Sequence, residues 1–383
     1  MSTLRTRLSS LGRTVTGVPA ALASSPAAVS VVLAFVIGAL IITATGQSPM
    51  AAYRAMFDGA FQGSGLRNTI TRTLPIVGMA LAISIPFRSG IINLGGEGQM
   101  VIGGLAGTLT AITLEGPAVI VIPVSFAVGM IVGALWAAVS AIGQVAFQIP
   151  ILITSLLLNW PARAITSYLV RFPFADPTVT SASTVQVPAS ARVPKLPLFG
   201  GVSSVLLVVL LFVVLLAIVN RRTVVGYETR MTGSNARFSR YGGVAVPRQI
   251  LGTMMASGAL AGFVGTYLVT GEILRFMDGD LVATGYNWTG LLVTLLAQHR
   301  PFAILLAGAF FAALQVGGLG MQRTAGIPWQ LAQVLQAIVI VALASRFAFM
   351  GRSTASQPDT EGAEEDATRT GRATTSDAPE DTR

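Results

Sequence analysis

Ten apolar blocks separated by short polar links run along this chain, at roughly 26–45, 72–87, 99–114, 117–142, 150–170, 202–220, 250–271, 288–298, 301–318 and 328–347. Their apolar residues are continuous rather than arranged in the one-sided stripe of a helix packed in a water-soluble core. Several approach the ~20 residues an α-helix needs to cross a bilayer. The pattern predicts an all-α polytopic membrane protein with about ten transmembrane segments. The second, third and eighth blocks are short for a full span. Short, Gly-interrupted segments are expected where helices are broken or re-entrant and line a pathway. Ten spans divide into five plus five, and an odd number per half inverts the second half, so a 5+5 inverted repeat is expected. The link after the second block (Arg88, Glu97) and the link after the seventh (Glu272, Arg275, Asp278, Asp280) are Gly-rich and occupy corresponding positions.

Charge placement gives an orientation. The segment 1–25 carries Arg5, Arg7 and Arg13; link 221–249 carries Arg221, Arg222, Arg230, Arg237, Arg240 and Arg248; Arg300, Arg346 and Arg352 follow on the same side. The opposite links mix Arg54, Arg67, Arg171, Arg192, Lys195, Arg275 and Arg323 with Asp58, Glu115, Asp176, Glu272, Asp278 and Asp280. The more uniformly positive side is cytoplasmic by the positive-inside bias, which puts both termini in the cytoplasm of a plasma (inner) membrane protein. The first block resembles a signal peptide, but its length of ~20 residues and the spans after it predict a retained helix. The organisation expected is a cytoplasmic segment 1–25, a transmembrane domain 26–350 with an extracytoplasmic loop at 171–201 and a cytoplasmic loop at 221–249, and a disordered tail 351–383. That tail is rich in Ser, Thr, Ala and acids and has little to bury.

Composition narrows the chemistry. Of 383 residues 52% are hydrophobic and 11% charged, against about 25% charged in soluble domains. The net charge of +9 is no sign of nucleic-acid binding, because acids concentrate in the tail and bases in short links. No cysteine is present, which removes disulfides and thiolate sites. The single histidine is His299, and the single lysine, Lys195, precedes Leu196. A phosphate-binding loop needs Gly-Lys-Ser/Thr, so the chain holds no cofactor site of that kind, and any ATP is hydrolysed by a partner.

The most informative stretch is Arg88-Ser-Gly-Ile-Ile-Asn-Leu-Gly-Gly-Glu-Gly-Gln-Met100. Asn93, Glu97 and Gln99 lie between two apolar blocks, and a carboxylate at membrane depth costs several kcal/mol unless paired or wet. The residues alone leave two readings open, a broken helix at a polar pathway and a cytoplasmic turn with a surface Glu.

This stretch resembles the signature of nucleoside-type ABC importer permeases, within the group that includes ribose and branched-chain amino-acid permeases. Three further stretches are similar to that family, in the family's order: Gly233-Ser-Asn-Ala-Arg-Phe-Ser-Arg-Tyr-Gly-Gly-Val244, Ser257-Gly-Ala-Leu-Ala-Gly262, and Gly285-Tyr-Asn-Trp-Thr-Gly-Leu-Leu-Val-Thr-Leu-Leu296 followed by Pro301. The resemblance runs from about residue 30 to 347. It implies an importer subunit that performs no bond chemistry and works with an ABC ATPase using ATP and Mg, a second permease that in such systems is commonly a different chain, and a solute-binding lipoprotein. It also implies a short cytoplasmic helix docking in the ATPase, involving Gly233, Asn235, Arg237, Phe238, Arg240, Tyr241 and Gly242. Gly233 and Gly242–Gly243 are expected to bound that helix, with Arg237 and Arg240 on one face. Phe238 and Ser239 replace the family's usual Ala-Ala. The other reading of this link is a basic loop held at anionic membrane lipid.

Tyr286, Asn287 and Trp288 enter the eighth block either as interface anchors or as solute-stacking groups. Asn287 and Thr289 depart from the Gly and Asp usual in the family. Asn159, matching the family's Met-Leu-Asn, needs partners if buried. It either bonds across helices or faces the solute path, and Pro161 is expected to kink its helix. Arg163 either snorkels outward or pairs with an acid. Gly103–Gly107, Gly129–Gly133 and Gly258–Gly262 are expected at close helix contacts. The function expected first is import of nucleosides, then of simple sugars. An ion-coupled secondary transporter is the alternative, and an intramembrane enzyme has no catalytic dyad to support it.

Overall fold

All ten apolar blocks are helical in the computed structural model, which describes residues 26–197 and 200–353. In chain order the helices are α1 (Pro26–Ala44), α2 (Pro49–Phe61), α3 (Ser64–Arg88), α4 (Gly96–Thr113), α5 (Ala118–Phe147), α6 (Ile151–Leu157), α7 (Asn159–Arg171), α8 (Val205–Arg222), α9 (Val224–Ser234), α10 (Ala236–Tyr241), α11 (Val246–Tyr267) continued by a π-helix (Leu268–Ile273), α12 (Asp280–Ala283), α13 (Tyr286–Leu296), α14 (Pro301–Ala325) and α15 (Gln330–Ser353). Among the described residues five helices are long and apolar enough to cross a membrane: α3, α5, α8, α11 with its π-helix, and α14. A sixth is counted if Val31–Ala44 and Pro49–Phe61, bent by 120°, form one span. The expected segment 1–25 lies outside the described residues, as does the expected tail 351–383 except for 351–353, which end α15 as helix. Residues 36–336 form one compact unit, which holds every site described below. A second comprises the part of α1 up to Phe35 and the part of α15 from Ala337.

Three expectations change. The second block is not short. α3 begins at Ser64 because Arg67, Asn68, Thr69 and Arg72 continue the helix without being apolar. Helix α2 was not expected at all, although Ser48 caps it by accepting from Ala51 N and Pro49 occupies its first turn, a standard start signal. The chain is not purely α either. Lys195–Leu196 (β1) and Val202–Ser203 (β2) form a small antiparallel ribbon. Pro161 does interrupt its helix, at Leu158 between α6 and α7. Lacking an N–H, it cannot donate to the carbonyl four residues back.

Helices α3 and α11 form the centre, 72% and 61% buried along their apolar stretches, against 28% for α5 and 22% for α8. α11 packs on α4 and α5, while α3 packs on α13 and α14. The three small-residue pairs meet at one junction. Gly103 of α4, Gly129 and Gly133 of α5, and Gly258 and Gly262 of α11 face one another so closely that a Cβ on any of them would strike the opposing backbone. Such contacts replace the hydrophobic driving force that is missing between helices in lipid.

The compact unit 36–336 has two unlike ends. At one, Arg88 and Gly90 meet Gly233, and Arg88 Nη1 donates to the His299 carbonyl. Arg221, Arg222, Arg230, Arg237, Arg240, Arg248 and Arg300 are all exposed there. At the other end the 171–204 segment covers the loop after the π-helix. Thr184 N donates to Phe276 O at 2.9 Å, Val187 N to Leu274 O at 2.8 Å and Asp278 N to Ala182 O at 3.0 Å. Arg171 pairs with Asp278 at 2.6 Å. In the same cap the Thr178 hydroxyl and backbone N–H both donate to Asp176 and hold its carboxyl below the usual range.

Candidate solute pathway and coupling surface

The first helix break lies between α3 and α4. Pro86 ends α3 by accepting from Ser89 N at 2.9 Å and Ile91 N at 3.0 Å, and Gly90 adopts φ 74° to reverse the chain. Asn93 Oδ1 accepts from Gly95 N at 2.9 Å, a local Asx turn. Its Nδ2 donates to Gln99 Oε1 at 3.1 Å and Ser257 Oγ at 3.0 Å, and Gln99 Nε2 donates back to Asn93 Oδ1 at 3.3 Å. Helix α4 has no cap from its own Gly95. The cap comes from α6 and α7: Asn159 Oδ1 accepts from Gly98 N at 2.8 Å, Asn159 Nδ2 donates to Leu94 O at 3.0 Å, and Ser155 Oγ accepts from Leu94 N at 3.2 Å. These amides are spent on one another and on the backbone, as buried polar groups must be.

Glu97 stands in the first turn of α4, 4% exposed, where a helix N-terminus favours a carboxylate. Arg163 Nε donates to its Oε1 at 2.6 Å, and Arg163 Nη2 closes on the same oxygen. The surface-turn reading of Glu97 is thereby replaced by a buried ion pair, and Arg163 has found its acid 66 residues away. The guanidinium carbon also lies 5.1 Å from the ring centroid of Trp160.

The second break follows α11. The helix loosens into the π-segment, Leu274 takes a left-handed φ of 63°, and Gly285 at φ 63° starts α13. A π-segment beside a strained residue is a frequent mark of functional sites. Here Tyr286 and Asn287 are buried, while Trp288 is half exposed. Asn287 sits against Gly96 of the first break. Its Oδ1 is buried with no hydrogen-bond partner among the described residues. The neighbouring Tyr286 instead lines a cavity of about 540 Å³, with Gln62, Asn68, Arg72, Glu272 and Arg323 among others, within the ~300–1,000 Å³ range of small-molecule pockets. Tyr267 donates its hydroxyl to Glu272 at 3.0 Å. The sequence marked Glu272 and Arg323 only as link residues and gave no sign of Arg72. The lining comes from elements scattered over the whole chain, and no local pattern joins them.

The candidate coupling residues lie at the basic end. Asn235 caps α10, accepting from Phe238 N at 2.9 Å, and Gly242 ends it. Gly233 does not bound this helix. It lies inside α9, where its backbone packs on Arg88 and Gly90. Arg237, Phe238, Arg240 and Tyr241 are exposed, Tyr241 at 82%. The two ion pairs among the described residues are both elsewhere, leaving these arginines without an internal acid.

Residues 65–344 match the family described as branched-chain amino acid transport system / permease component. The chain is 32% identical over 337 residues to the glucose ABC transporter permease protein TsgB13 of Haloferax volcanii, covering 85% of this chain and 88% of that one. It is 28% identical over 324 residues to the guanosine ABC transporter permease protein NupP of Bacillus subtilis, covering 84% and 92%. It is 26% identical over 329 residues to the nucleoside ABC transporter permease protein NupB of Lactococcus lactis, covering 83% and 90%. With most of its length inside that pattern and polar breaks set among its apolar helices, this chain belongs to the family of ABC transporter permease components, the membrane-spanning subunits of these systems.

Proposed function

We propose that this chain forms, with a second permease, the path by which an ABC importer brings nucleosides into the cell, driven by a partner ATPase that uses ATP and Mg. A solute-binding lipoprotein delivers the nucleoside at the capped end, with loop 171–201 as an extracytoplasmic cap. The basic end is cytoplasmic, as are both termini. The exchange of packing partners supports ten spans in a 5+5 inverted repeat, because α11 sits on α4 and α5 as α3 sits on α13 and α14. The path is bordered at the first break by Asn93, Glu97, Gln99 and Asn159, which hold it in shape, and at the second by Tyr286, Asn287 and Trp288. A permease of this kind works by offering conformations open to opposite sides, and ATP-linked closure of its partners shifts their populations.

The observation that carries this reading is α10, a six-residue helix presenting Phe238 and Tyr241 uncovered among arginines with no internal counter-charge. Anionic lipid would also take basic and aromatic side chains, but a short helix capped at both ends, at the place of the family's docking helix, is a defined shape that lipid does not require. A protein cleft with acidic and apolar walls satisfies the charge, the rings and the shape together. Gly233, Asn235 and Gly242 shape this element, and Arg237, Phe238, Arg240 and Tyr241 make the contact. The test is co-purification of the ATPase with Arg240→Glu, which is expected to lose most of it. Undiminished co-purification returns the surface to a lipid-facing role. Simple sugars are the second reading of the cargo, favoured by the glucose permease relative. Uptake of labelled guanosine and glucose by a deletion strain separates the two.

A further inference from the structure

Helices α5 and α8 meet their surroundings with aliphatic side chains, Ile131 and Leu135 on one and Leu207, Leu211, Leu215 and Ile218 on the other, as lipid requires. Helix α7 does not. Its buried residues Asn159, Ala162, Thr166 and Val170 form one stripe, packed on α4. On the adjoining row stand Trp160, Arg163, Ser167 and Arg171, three and four residues apart and therefore on one side. Trp160 is 67% exposed, and the Arg163 and Arg171 side chains are 34% and 54% exposed.

The row runs without interruption from the capped end inward. Arg171 and Ser167 both contact Asp278, and Arg163 holds Glu97. At 1.5 Å per residue, Trp160 lies about 16 Å along the helix from Arg171 and about 13 Å from the start of α6. In the ten-span arrangement proposed above, where α6 and α7 together cross the bilayer, that is the middle of a hydrocarbon layer ~30 Å thick, not the interface where tryptophans anchor helices. Hydrocarbon against a mid-depth guanidinium is strongly unfavourable, so this face meets water or another polar surface rather than lipid.

We propose that this row of α7 is the wall of the water-filled solute path, and that Trp160 stacks the planar ring of a nucleobase. The inference rests on the import function proposed above and assigns its recognition surface. Trp160 keeps a broad, largely exposed π-surface beside the Arg163 guanidinium, and stacking of bases on aromatic rings is tolerant of base identity. Arg163 spends Nε and Nη2 on Glu97. Its remaining N–H donors are free to meet a carbonyl or ring nitrogen on the edge of the base. The Glu97 pair fixes the guanidinium beside the indole, so the ring and the donors are presented together.

The chain contains no cysteine, so single cysteines can be placed without background. In the complete transporter reconstituted in liposomes, Ala164→Cys, one turn from Trp160, is expected to react with a charged, membrane-impermeant thiosulfonate, and guanosine is expected to slow that reaction. Leu211→Cys on α8 is expected to react only with a lipophilic maleimide. Trp160→Leu is expected to lower guanosine uptake about tenfold, the scale of one lost base stack, and Trp160→Phe to recover part of it. The proposal is overturned if Ala164→Cys behaves like Leu211→Cys, if guanosine gives no protection, or if Trp160→Leu transports guanosine like the parent. A parent complex that takes up guanosine while any of these holds loses only the assignment to α7. A parent that takes up glucose and not guanosine removes the nucleobase, and one that takes up neither with ATP overturns the import reading as well.

Discussion

The two helix breaks of this permease do the same topological work in opposite ways. The first, between α3 and α4, is full of its own side chains. Asn93, Gln99, Asn159, Ser155 and Ser257 bond to one another and to the freed backbone, and its carboxylate is buried against an arginine. The second, between α11 and α13, is hollow. It keeps a π-segment, a left-handed leucine, an amide oxygen without a partner and a cavity of about 540 Å³. Irregular backbone at membrane depth is tolerated where it is buried in protein or lines a wet space, and this chain uses one solution for each break. The filled break is expected to behave as a fixed knot in which every group is needed for stability. The hollow one is expected to tolerate change in stability and to register it in transport.

The sharpest test sets the two carboxylates against each other. Removing one partner of a buried ion pair costs about 3–5 kcal/mol, and the low end applies here because Arg163 is about a third exposed. Glu97→Ala is expected to reduce uptake at least tenfold and lower the melting temperature, while the ATPase still co-purifies. Glu272→Ala, whose carboxylate is exposed at the hollow break and accepts one phenolic hydrogen bond, is expected to leave the melting temperature nearly unchanged. Equal melting temperatures for the two variants would erase the distinction between a full and an empty break.

A middle-sized effect separates the two asparagines, each buried in the first turn of a helix. Asn159→Leu orphans the Gly98 N–H and the Leu94 carbonyl, at about 1–3 kcal/mol for each buried group left unpaired. Asn287→Leu removes an acceptor that has no donor to lose. We expect a clear fall in melting temperature for Asn159→Leu, and for Asn287→Leu an unchanged or higher one with altered guanosine uptake. Should Asn287→Leu prove the less stable of the pair, its oxygen has a partner that the isolated chain lacks.

How far the sequence foretold this contrast follows from the range of the forces involved. The apolar blocks were legible because bilayer burial acts on continuous runs. The meeting of Gly103, Gly129, Gly133, Gly258 and Gly262 was prepared by three visible small-residue pairs, although nothing said which helices they would join. The start and end of α10 were half legible. Asn235 and Gly242 act locally as caps, whereas Gly233 is needed for the close approach of Arg88, a contact between distant segments. Helix α2 was obscured because Tyr53, Arg54 and Asp58 break its apolar run, despite the Ser48-Pro49 start. Arg163 could be seen as a residue in need of an acid but not matched to Glu97, since the pairing depends on how α7 lies on α4. The cavity was invisible for the same reason.

The smallest expected effect lies at the far end of the hollow break's helix, in the turn from α13 to α14. His299 stacks on Phe87 with centroids 5.1 Å apart, and its Nδ1 is buried with no partner among the described residues. Burial, and secondarily the neighbouring Arg88 charge, hold its pKa below the ordinary histidine value. Folding therefore favours the neutral ring. The stability this ring contributes is fully present above the unfolded pKa of about 6.5 and is lost as pH falls through that value toward the lower folded one. Between pH 8 and pH 5 the parent's melting temperature is expected to fall by about 1 °C more than that of His299→Gln, the size of a sub-kilocalorie effect in a chain this long. Parallel pH profiles would mean that the turn opens enough to solvate the imidazolium. In that case the hollow break extends its looseness along α13 to the basic end, and the contrast between the two breaks becomes one between the whole helices that follow them.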